Sequence, residues 1–432
     1  MQTALVLFGA YGSMYPGFLT EARARGLAPL IVDIRHGRFD VQQRLFAEFD
    51  DHVLHLAEDI VICEELCETD VIQAVVGWNQ SYNIVGVHSL REEFVEAVGV
   101  VGDLYGLPNP GLRATKVCRN KYLQRLMMVD ISPRFRVLRG TADLQNALDG
   151  MSFPLVVKPL TSWASQGVRL VHDAADVSAA VSMDSESPVL LEERVLGQEV
   201  SVESLLSHGE IIWSEITVKS TNEETSDAFA EISHTVGTGL LPKSVEASVR
   251  TTNALVHSRL AFHNGISHAE YRVTDAGEVL LMEIAARNPG DAILDLYYLA
   301  SGTRLEGAIL DVVMGDRPEL PELVRFARQV FLPQTEGRLV DIEISDQFGV
   351  QPNWFLSMGR REAPFLPWNV EAPARLCELL VERERGDRLR SIRNSYDRSA
   401  ALILDAPTLT ELTELGNSAL LSTRLITEPE EG

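Results

Sequence analysis

The sequence has few cysteines and no long apolar stretch. Its four cysteines, at positions 63, 67, 118 and 377, contain no Cys-x-x-Cys pair, the spacing that many zinc and redox sites use. We therefore expect reduced thiols and a cytoplasmic protein. No stretch of eighteen residues is continuously apolar, so we expect no membrane-spanning helix. The first nine residues lack a basic start, and they predict a β-strand rather than a signal peptide.

Positive charge is scarce as well. The chain carries 38 basic and 62 acidic residues, which gives a formal net charge of −24 at pH 7. Such a charge argues against binding to nucleic acid or to an anionic membrane. Arginine greatly outnumbers lysine, and the lysines stand at positions 116, 121, 158, 219 and 243. A lysine inside a motif is therefore a notable feature of this sequence.

The N-terminal part of the chain opens with a βαβ pattern. Its 432 residues suffice for two to four domains. Residues 3–9 and 27–33 predict parallel strands on either side of a helix at 17–26. The first turn is not Gly-x-Gly-x-x-Gly, although Asp33 falls roughly where a ribose-binding acid would lie. We predict a Rossmann-like scaffold without a dinucleotide, and a dinucleotide-dependent enzyme is the least favoured alternative.

A second pair of predicted strands follows at residues 53–56 and 74–77. Trp78 comes directly after the latter strand, where open α/β sheets place ligand loops, and a plain connecting loop is the alternative. Residues 92–105 predict an amphipathic helix. The Gly- and Pro-rich residues 106–111 mark the first domain boundary.

The next segment contains a candidate phosphate site. Residues 113–123 predict a helix with several cations. Residues 153–159 predict an apolar strand that ends in Lys158, and the small residues of 160–168 follow. Such a loop can present backbone N–H groups to a phosphate, with Lys158 adding charge. An ordinary hairpin turn with an edge lysine is the alternative.

Acidic residues dominate the strands that come after this loop. An apolar run ends in Glu192 and Glu193, and an alternating strand then carries Glu199 and Glu203. The polar residues 222–231 predict a loop. His234 follows it, and an isolated histidine is more often structural than catalytic.

Two acids on a predicted hairpin form the strongest site candidate. Glu270 and Glu283 lie on neighbouring strands, and Gly277 in the turn between them is free to adopt a positive φ. If both carboxylates face one side, a cation or a proton must hold them together, and their oxygens suit Mg²⁺. Arg287 adds a guanidinium that matches a phosphate or a carboxylate. A surface hairpin with two solvated acids is the alternative.

The remaining elements are less informative. Helices are predicted at residues 251–263, 294–314 and 407–416, and a second boundary at 318–321. The last hundred residues contain short predicted strands, a Pro/Trp-rich segment at 364–368 and a basic stretch at 383–393.

The ordered set of motifs resembles the ATP-grasp carboxylate–amine ligases over roughly residues 1–320. The motifs are Arg-Asn-Lys-Tyr at 119–122, Phe-Pro-Leu-Val-Val-Lys-Pro at 153–159, the small-residue loop, Leu-Leu-Glu-Glu-Arg-Val-Leu-Gly-Gln-Glu at 190–199, and the Glu270/Glu283 hairpin with Arg287. Within that superfamily the sequence is most similar to L-amino acid ligases and to dapdiamide- and carnosine-type synthetases. The position of His234 and the four-residue step from Glu283 to Arg287 fit that branch.

The resemblance implies an α/β ATP-grasp fold in four parts. These are a Rossmann-like pre-ATP-grasp domain at 1–108, a small ATP-grasp subdomain at 109–189, a catalytic core at 190–318 and a C-terminal α/β subdomain at 319–432. It also implies the site residues. ATP would be bound by Lys121, Lys158, Ser162, Ser165, Gln166, Gly167, Glu192, Glu193, Val195 and Glu199. The metal ligands would be Glu270 and Glu283. The catalytic residues would be Arg287, His234 and Lys158. The substrates would contact His234, Arg287, Glu203 and Trp78.

The resemblance implies an ADP-forming ligase that uses ATP and Mg²⁺, with Mn²⁺ as an alternative ion. It would activate the carboxylate of an amino-acid-like substrate as an acyl-phosphate and join it to an amine, in specialised metabolism, as a cytoplasmic homodimer. One position departs from the pattern, because Ala285 stands where the family often has Asn. The alternatives are a biotin-carboxylase-like enzyme that activates bicarbonate and a non-catalytic nucleotide-binding regulator.

Overall fold

A computed structural model describes residues 1–11, 16–35, 39–183, 187–223, 226–354 and 368–429. The N-terminal part is a four-stranded parallel sheet in the order β3-β2-β1-β4. Its strands are β1 (Gln2–Phe8), β2 (Ala28–Ile34), β3 (Asp59–Cys63) and β4 (Tyr82–Ser89). Its helices are α1 (Gly17–Ala24), α2 (Phe39–Glu48), α3 (Glu68–Trp78) and α4 (Val95–Tyr105). The predicted βαβ opening is confirmed.

Two predictions in this part are wrong. Val53–Leu56 is a short 3-10 helix rather than a strand, and residues 74–77 belong to α3. The buried residues of α3 are Val71, Val75 and Trp78, which recur at steps of four and three, the period of a helix and not of a strand.

The second part is a small antiparallel sheet in the order β5-β8-β6-β7. Its strands are β5 (Phe135–Leu138), β6 (Leu155–Pro159), β7 (Arg169–Val171) and β8 (Val189–Glu193), and helices α7 (Leu144–Leu148) and α8 (Ala174–Met183) accompany it. The helix predicted at 113–123 is two helices, α5 (Leu112–Cys118) and α6 (Lys121–Met127). Asn120 separates them, because its side chain accepts the N–H groups of Tyr122 and Leu123 as the N-cap of α6.

A nine-stranded sheet forms the centre of the molecule, in the order β13-β12-β9-β10-β11-β14-β19-β17-β16. Its strands are β9 (Gln198–Ser207), β10 (Glu210–Thr221), β11 (Glu231–Val236), β12 (Gly265–Val273), β13 (Val279–Ala285), β14 (Phe326–Phe331), β16 (Pro352–Trp354), β17 (Arg375–Val381) and β19 (Ala400–Ala406). A three-stranded sheet holds β15 (Gly337–Ile344), β18 (Arg388–Leu389) and β20 (Thr423–Glu428). Strands from beyond residue 318 thus extend the sheet that contains the hairpin.

The helices of this part differ in detail from those expected. They are α9 (Lys243–Leu260), α10 (Ile293–Ser301), α11 (Leu305–Met314) and α12 (Leu409–Leu421). The single helix predicted at 294–314 breaks at Gly302, which has a φ of +80° and ends α10. The final helix is confirmed. Residues 364–367 of the Pro/Trp-rich segment lie outside the described residues.

The hydrophobic core explains how the sheets are joined. Leu5 and Leu7 of β1 share one buried cluster with Leu294 of α10 and Leu310 of α11. The two helices therefore anchor the N-terminal sheet to the large one. Among the described residues, no helix combines the length and the apolar character that a bilayer crossing requires.

Candidate active site

A cavity of about 730 Å³ lies where these parts meet. The N-terminal part contributes residues 90–93, directly after β4. The small sheet contributes the ends of β6 and β8, the large sheet contributes the β12–β13 hairpin, and the C-terminal part contributes residues 382, 383, 395, 396 and 398. The carboxyl end of a parallel strand is a usual place for a ligand in open α/β sheets.

The hairpin brings its two acids directly opposite each other. Glu270 pairs with Glu283 in the register of β12 and β13, and Gly277 in the turn has a φ of +82°. Lys219 Nζ donates to Glu270 Oε1 at 2.6 Å, and Lys121 Nζ donates to Glu283 Oε1 at 2.8 Å. The Oε2 atom of each accepts no hydrogen bond from the described part of the chain. Two carboxylate oxygens on one wall of a cavity fit a divalent cation such as Mg²⁺.

Lys219 connects Glu270 to a third acid, Glu231. Its side chain is almost fully buried and forms ion pairs with Glu231 and Glu270. Burial alone would lower the pKa of Lys219, but the two carboxylates raise it well above its usual value. Burial likewise favours a higher pKa for Glu270, and Lys219 with His268 holds that pKa below its usual value instead. Glu270 is therefore an anion, as a metal ligand must be.

A buried ion cluster stands at the end of the cavity formed by the small sheet. Glu192 pairs with both Lys158 and Arg125, and all three are almost fully buried. Burial lowers the pKa of Lys158, and the neighbouring Arg125 adds to this effect against the opposing Glu192. The Glu192 pKa lies below its usual value because these two cations outweigh its burial. Lys158 thus lines the cavity, and its ion pair with Glu192 holds its side chain in place.

The segment after Glu192 lines the same end. The Glu193 N–H donates to the carbonyl of Arg134 at 3.0 Å. The carbonyl of Val195 accepts from Arg272 Nη1 at 3.1 Å, and Arg272 Nη2 donates to Glu199 Oε2 at 2.6 Å. Burial raises the pKa of Glu199, with Arg272 acting in the opposite direction. Glu193, Val195 and Glu199 all line the cavity.

The small-residue loop of residues 160–168 forms part of the cavity wall. Ser162 and Ser165 line it, and the Ser162 carbonyl accepts from Lys121. Two hydrogen bonds hold the loop to other segments of the chain. Trp163 Nε1 donates to Tyr396 Oη at 3.0 Å, and Ser165 Oγ donates to the Phe229 carbonyl at 3.1 Å. Gln166 and Gly167 belong to the loop but do not line the cavity. Both are exposed.

The far end of the cavity carries charges of both signs. Arg287 Nε donates to Glu92 Oε2 at 2.7 Å, and Arg119 donates to the other oxygen of Glu92 at 3.1 Å. Burial alone would raise the pKa of Glu92, but the two arginines lower it. Asp291, with a φ of +53°, binds Arg398 Nη2 at 2.6 Å.

Three expected substrate contacts are not in the cavity. His234 is fully buried behind Glu231 and Asp291, with Nδ1 at 3.3 Å from Gln329 Oε1. Glu203 is fully buried and accepts four hydrogen bonds from protein groups. Trp78 packs in the N-terminal core, where its Nε1 donates to Asp59 Oδ2 at 2.7 Å. Side-chain direction decides the cases of Glu203 and His234, whereas Trp78 is the last residue of helix α3 rather than part of a loop after a strand.

Several cavity residues were not expected from the sequence. They are Arg91, Glu92, Lys219, Glu231, His268, Asp291 and Arg398. Lys219 had a usable signal, since lysine is scarce in this chain. His268 lies two residues before Glu270 and therefore on the same face of β12. For the others, the sequence carries no comparable signal.

Comparisons with known proteins agree with this architecture. Residues 151–295 match the ATP-grasp domain. An uncharacterized protein of Sinorhizobium fredii is 26% identical over 268 residues, which cover 59% of this chain and 54% of that protein. Dapdiamide A synthase of Enterobacter agglomerans is 28% identical over 190 residues, which cover 40% of this chain and 43% of that enzyme. The chain thus spans about half the length of these two curated relatives.

A solved structure extends the likeness to the whole chain. The crystal structure of an L-amino acid ligase from Bacillus licheniformis superposes with a TM-score of 0.76 and covers 99% of both chains, at 17% sequence identity. At this identity the likeness concerns the fold. The ATP-grasp fold expected from the sequence is confirmed.

Proposed function

Because residues 151–295 match the ATP-grasp domain and the whole chain shares the fold of an L-amino acid ligase, we propose that it is an ATP-dependent, ADP-forming carboxylate–amine ligase. The observation that carries this proposal is the composition of one cavity. It combines the opposed carboxylates Glu270 and Glu283, the buried lysines 121, 158 and 219, and the guanidinium of Arg287. Phosphoryl transfer relies on positioning and charge neutralisation, which such groups supply.

The nucleotide would occupy the end formed by the small sheet. Lys121 and Lys158 would bind its phosphates, together with Ser162, Ser165 and the neighbouring Gln166 and Gly167. The segment of Glu192, Glu193 and Val195 would contact the adenine, and Glu199 would bind the ribose hydroxyls. The position of most of these residues along one cavity supports the assignment. The ammonium group of Lys158, which pairs with Glu192, would also interact with a phosphate.

Glu270 and Glu283 would hold Mg²⁺, or Mn²⁺ in its place, through the oxygens that face the cavity. When bound, the ion supplies charge neutralisation for the transferring phosphoryl group. The protein groups around it prepare that role. Lys219 and Lys121 hold one oxygen of each carboxylate, which leaves the other oxygen of each for a ligand.

The reaction would proceed in two steps. A substrate carboxylate oxygen attacks the γ-phosphorus of ATP, the bond to the β-phosphate oxygen breaks, and ADP and an acyl-phosphate result. The amine of the second substrate then attacks the acyl carbon, loses a proton, and expels phosphate to leave an amide. Arg287 would stabilise the negative charge of the tetrahedral adduct, and its ion pair with Glu92 fixes its direction. Water must be excluded in the interval, and the fastened loop of residues 161–167 would do so.

The far end of the cavity favours amino acids as substrates. Glu231 and Asp291 offer carboxylates to an ammonium group, and Arg287 offers a guanidinium to a carboxylate or an acyl-phosphate. His234 would act indirectly, because it is buried next to Glu231 and Asp291 and supports these two carboxylates. A place in specialised metabolism is also part of this proposal, and the similarity to dapdiamide A synthase supports it. A cytoplasmic location and a homodimeric state are parts of this proposal that rest on the resemblance alone.

The test is a screen of phosphate release over all pairs of amino acids, with mass spectrometry of the products and with bicarbonate as a further acceptor. We expect ADP, phosphate and one amide in equal amounts for at least one pair. The Glu283→Gln variant serves as the inactive control. ATP consumption with bicarbonate alone, or no product from any pair, would contradict the proposal.

A nucleotide-binding regulator without turnover is the second candidate. Ala285 favours it, because this residue lines the cavity and its methyl group supplies no ligand oxygen. Calorimetry with ADP separates the two candidates, since binding of ADP without turnover in the screen would identify the regulator.

A further inference from the structure

Three neighbouring strands align their cavity-side residues in two rows. In the first row, Glu203 of β9 stands opposite His268 of β12, which stands opposite Ala285 of β13. In the next row, Ser201 stands opposite Glu270, which stands opposite Glu283. Directly opposite residues of neighbouring strands share a face of the sheet. The row that contains the two metal-type carboxylates is thus flanked by a row that has His268 at its centre.

Glu203 is held rigidly at one end of its row. It is fully buried, and its carboxylate accepts hydrogen bonds from Ser201 Oγ at 2.8 Å, Thr217 Oγ1 at 2.7 Å and Tyr297 Oη at 2.7 Å. The fourth donor is His268 Nδ1, at 2.7 Å from Glu203 Oε1. A buried carboxylate with this many donors has one stable position, because any rotation would leave a buried donor without its acceptor.

The imidazole of His268 connects Glu203 to Glu270 in the next row. Its second nitrogen, Nε2, lies 3.1 Å from Glu270 Oε1. The ring therefore contacts one carboxylate through each of its two nitrogens. At the other end of the row of His268, Ala285 carries only a methyl group and offers the imidazole no hydrogen bond.

We propose that Glu203 and His268 are positioning residues that fix Glu270 as a metal ligand. The proposal rests on the function proposed above, because Glu270 must bind a divalent cation. Lys219 Nζ and His268 Nε2 both contact Oε1, so together they restrict the rotation of the carboxylate and leave Oε2 for a ligand. Groups that orient a ligand from behind typically change metal affinity by about 10- to 100-fold when they are replaced.

The test measures metal binding rather than turnover. Binding of Mn²⁺ to the full-length protein is followed by electron paramagnetic resonance in the presence of ADP, and ADP binding without metal is measured by calorimetry with a chelator. In His268→Gln, a single amide cannot bridge Glu203 and Glu270. We expect Mn²⁺ binding in the ADP complex to weaken by about 10-fold or more, with metal-free ADP affinity unchanged. Glu203→Gln should shift Mn²⁺ binding in the same direction.

The matched control is His257→Gln. His257 is also a buried histidine with two hydrogen bonds, to the Asn253 carbonyl at 2.7 Å and Ser267 Oγ at 2.6 Å, but it does not line the cavity. We expect its Mn²⁺ affinity to match that of the wild type. Thermal melting shows which variants are folded, and His268→Gln carries the test if Glu203→Gln does not fold.

The outcomes separate the two levels of the proposal. If the wild-type protein binds no Mn²⁺ with ADP, the proposed function fails. If the wild type binds Mn²⁺ and folded His268→Gln binds it within about twofold of the wild type, the positioning role is overturned while the proposed function stands. If His268→Gln weakens binding and folded Glu203→Gln does not, the role of Glu203 is overturned.

Discussion

Three of the five lysines of this chain lie in one cavity, at positions 121, 158 and 219. All three are buried and paired with carboxylates. Arginine is used for most other ion pairs of the molecule, as at Arg325, Arg375 and Arg398. A lysine presents a compact charge on a flexible stem. This suits a group that pairs with a carboxylate in the free protein and would bind a phosphate in the proposed complex with ATP.

The first residue-scale prediction concerns Glu283. We expect Glu283→Gln to abolish turnover, by about 100-fold or more, because one anionic metal ligand is lost. Folding should be intact, since the side chain is partly exposed and Lys121 keeps its contact with the Ser162 carbonyl. Steady-state rates across a Mg²⁺ titration, with circular-dichroism melting, test this. A near-normal kcat at modest Mg²⁺ would reject the metal role.

Lys158→Ala should raise the apparent KM for ATP and lower kcat. The change removes a cation from the cavity but leaves Glu192 paired with Arg125, so the buried carboxylate is not left without a partner. Lys116→Ala is the matched control, because that lysine is exposed and pairs with Glu96 on the surface. ATP dependence that is the same in both variants would assign Lys158 a purely structural role.

Arg287 and His234 should separate chemistry from substrate selection. Arg287→Lys keeps the charge but loses the planar fork that reaches Glu92 and the Asn288 carbonyl together, so amide formation should slow severely while ATP binding stays. His234→Ala should change which amino acids are accepted, because Glu231 and Asp291 lose their support. Calorimetry of ATP and amide synthesis for several pairs provide the readouts. Full amide synthesis by Arg287→Lys would disprove its role.

At the scale of elements, the loop of residues 161–167 is joined to the C-terminal part. Trp163 donates to Tyr396, and the Ser395 N–H donates to the Ala164 carbonyl at 3.4 Å. Ala164 and Ser165 both have a φ of +56°, a conformation that residues with a Cβ rarely adopt without external contacts. The C-terminal part therefore helps to hold the loop at the cavity.

This connection leads to a prediction about water exclusion. Trp163→Phe keeps an aromatic ring but removes the hydrogen bond to Tyr396, which contributes about 1 kcal/mol. We expect a several-fold rise in the ratio of phosphate released to amide formed, because water reaches the acyl-phosphate more often. Tyr396→Phe should give the same effect, and the double variant no more than either single one. Additive effects of the two changes would show that the bond does not hold the loop.

At the scale of the whole molecule, helices α10 and α11 join the N-terminal sheet to the large sheet. Glu306 lies at this junction, and its carboxyl closely approaches Gly17 of α1. Burial raises the pKa of Glu306 to about 7, and the negative charge of Asp295 adds to the shift. The folded protein thus holds a proton on Glu306 at a pH at which the unfolded chain has released it.

The stability of the junction should therefore fall as pH rises. The contribution of Glu306 is fully present below its unfolded pKa of about 4.5 and is lost as pH rises through its folded pKa of about 7. Glu306→Gln removes this dependence, and we expect it to be more stable than the wild type at pH 8 by at most roughly 3 kcal/mol. Urea unfolding of both proteins at pH 5 and pH 8 measures the difference. A stability difference that is the same at both pH values would contradict the assignment.

The elements whose signals are local could be predicted from the sequence. The βαβ opening follows from apolar runs and glycine turns, and the hairpin follows from an alternating pattern around Gly277, so the opposition of Glu270 and Glu283 was predictable. The strand that ends in Lys158 is of the same kind. Each of these features is set by neighbours within about twenty residues, and short-range periodicity records such neighbours.

Which distant groups share the cavity depends on the packing of the folded chain. Glu92 meets Arg287 across 195 positions, and Glu203 meets His268 across 65. The direction of a side chain and the identity of its partner depend on how sheets pack, and the residues around Glu203, His234 or Trp78 do not encode that packing. For this reason Glu203, which was expected to touch substrate, is instead a buried hydrogen-bond acceptor. His268, which the sequence did not single out, connects it to the candidate metal ligand Glu270.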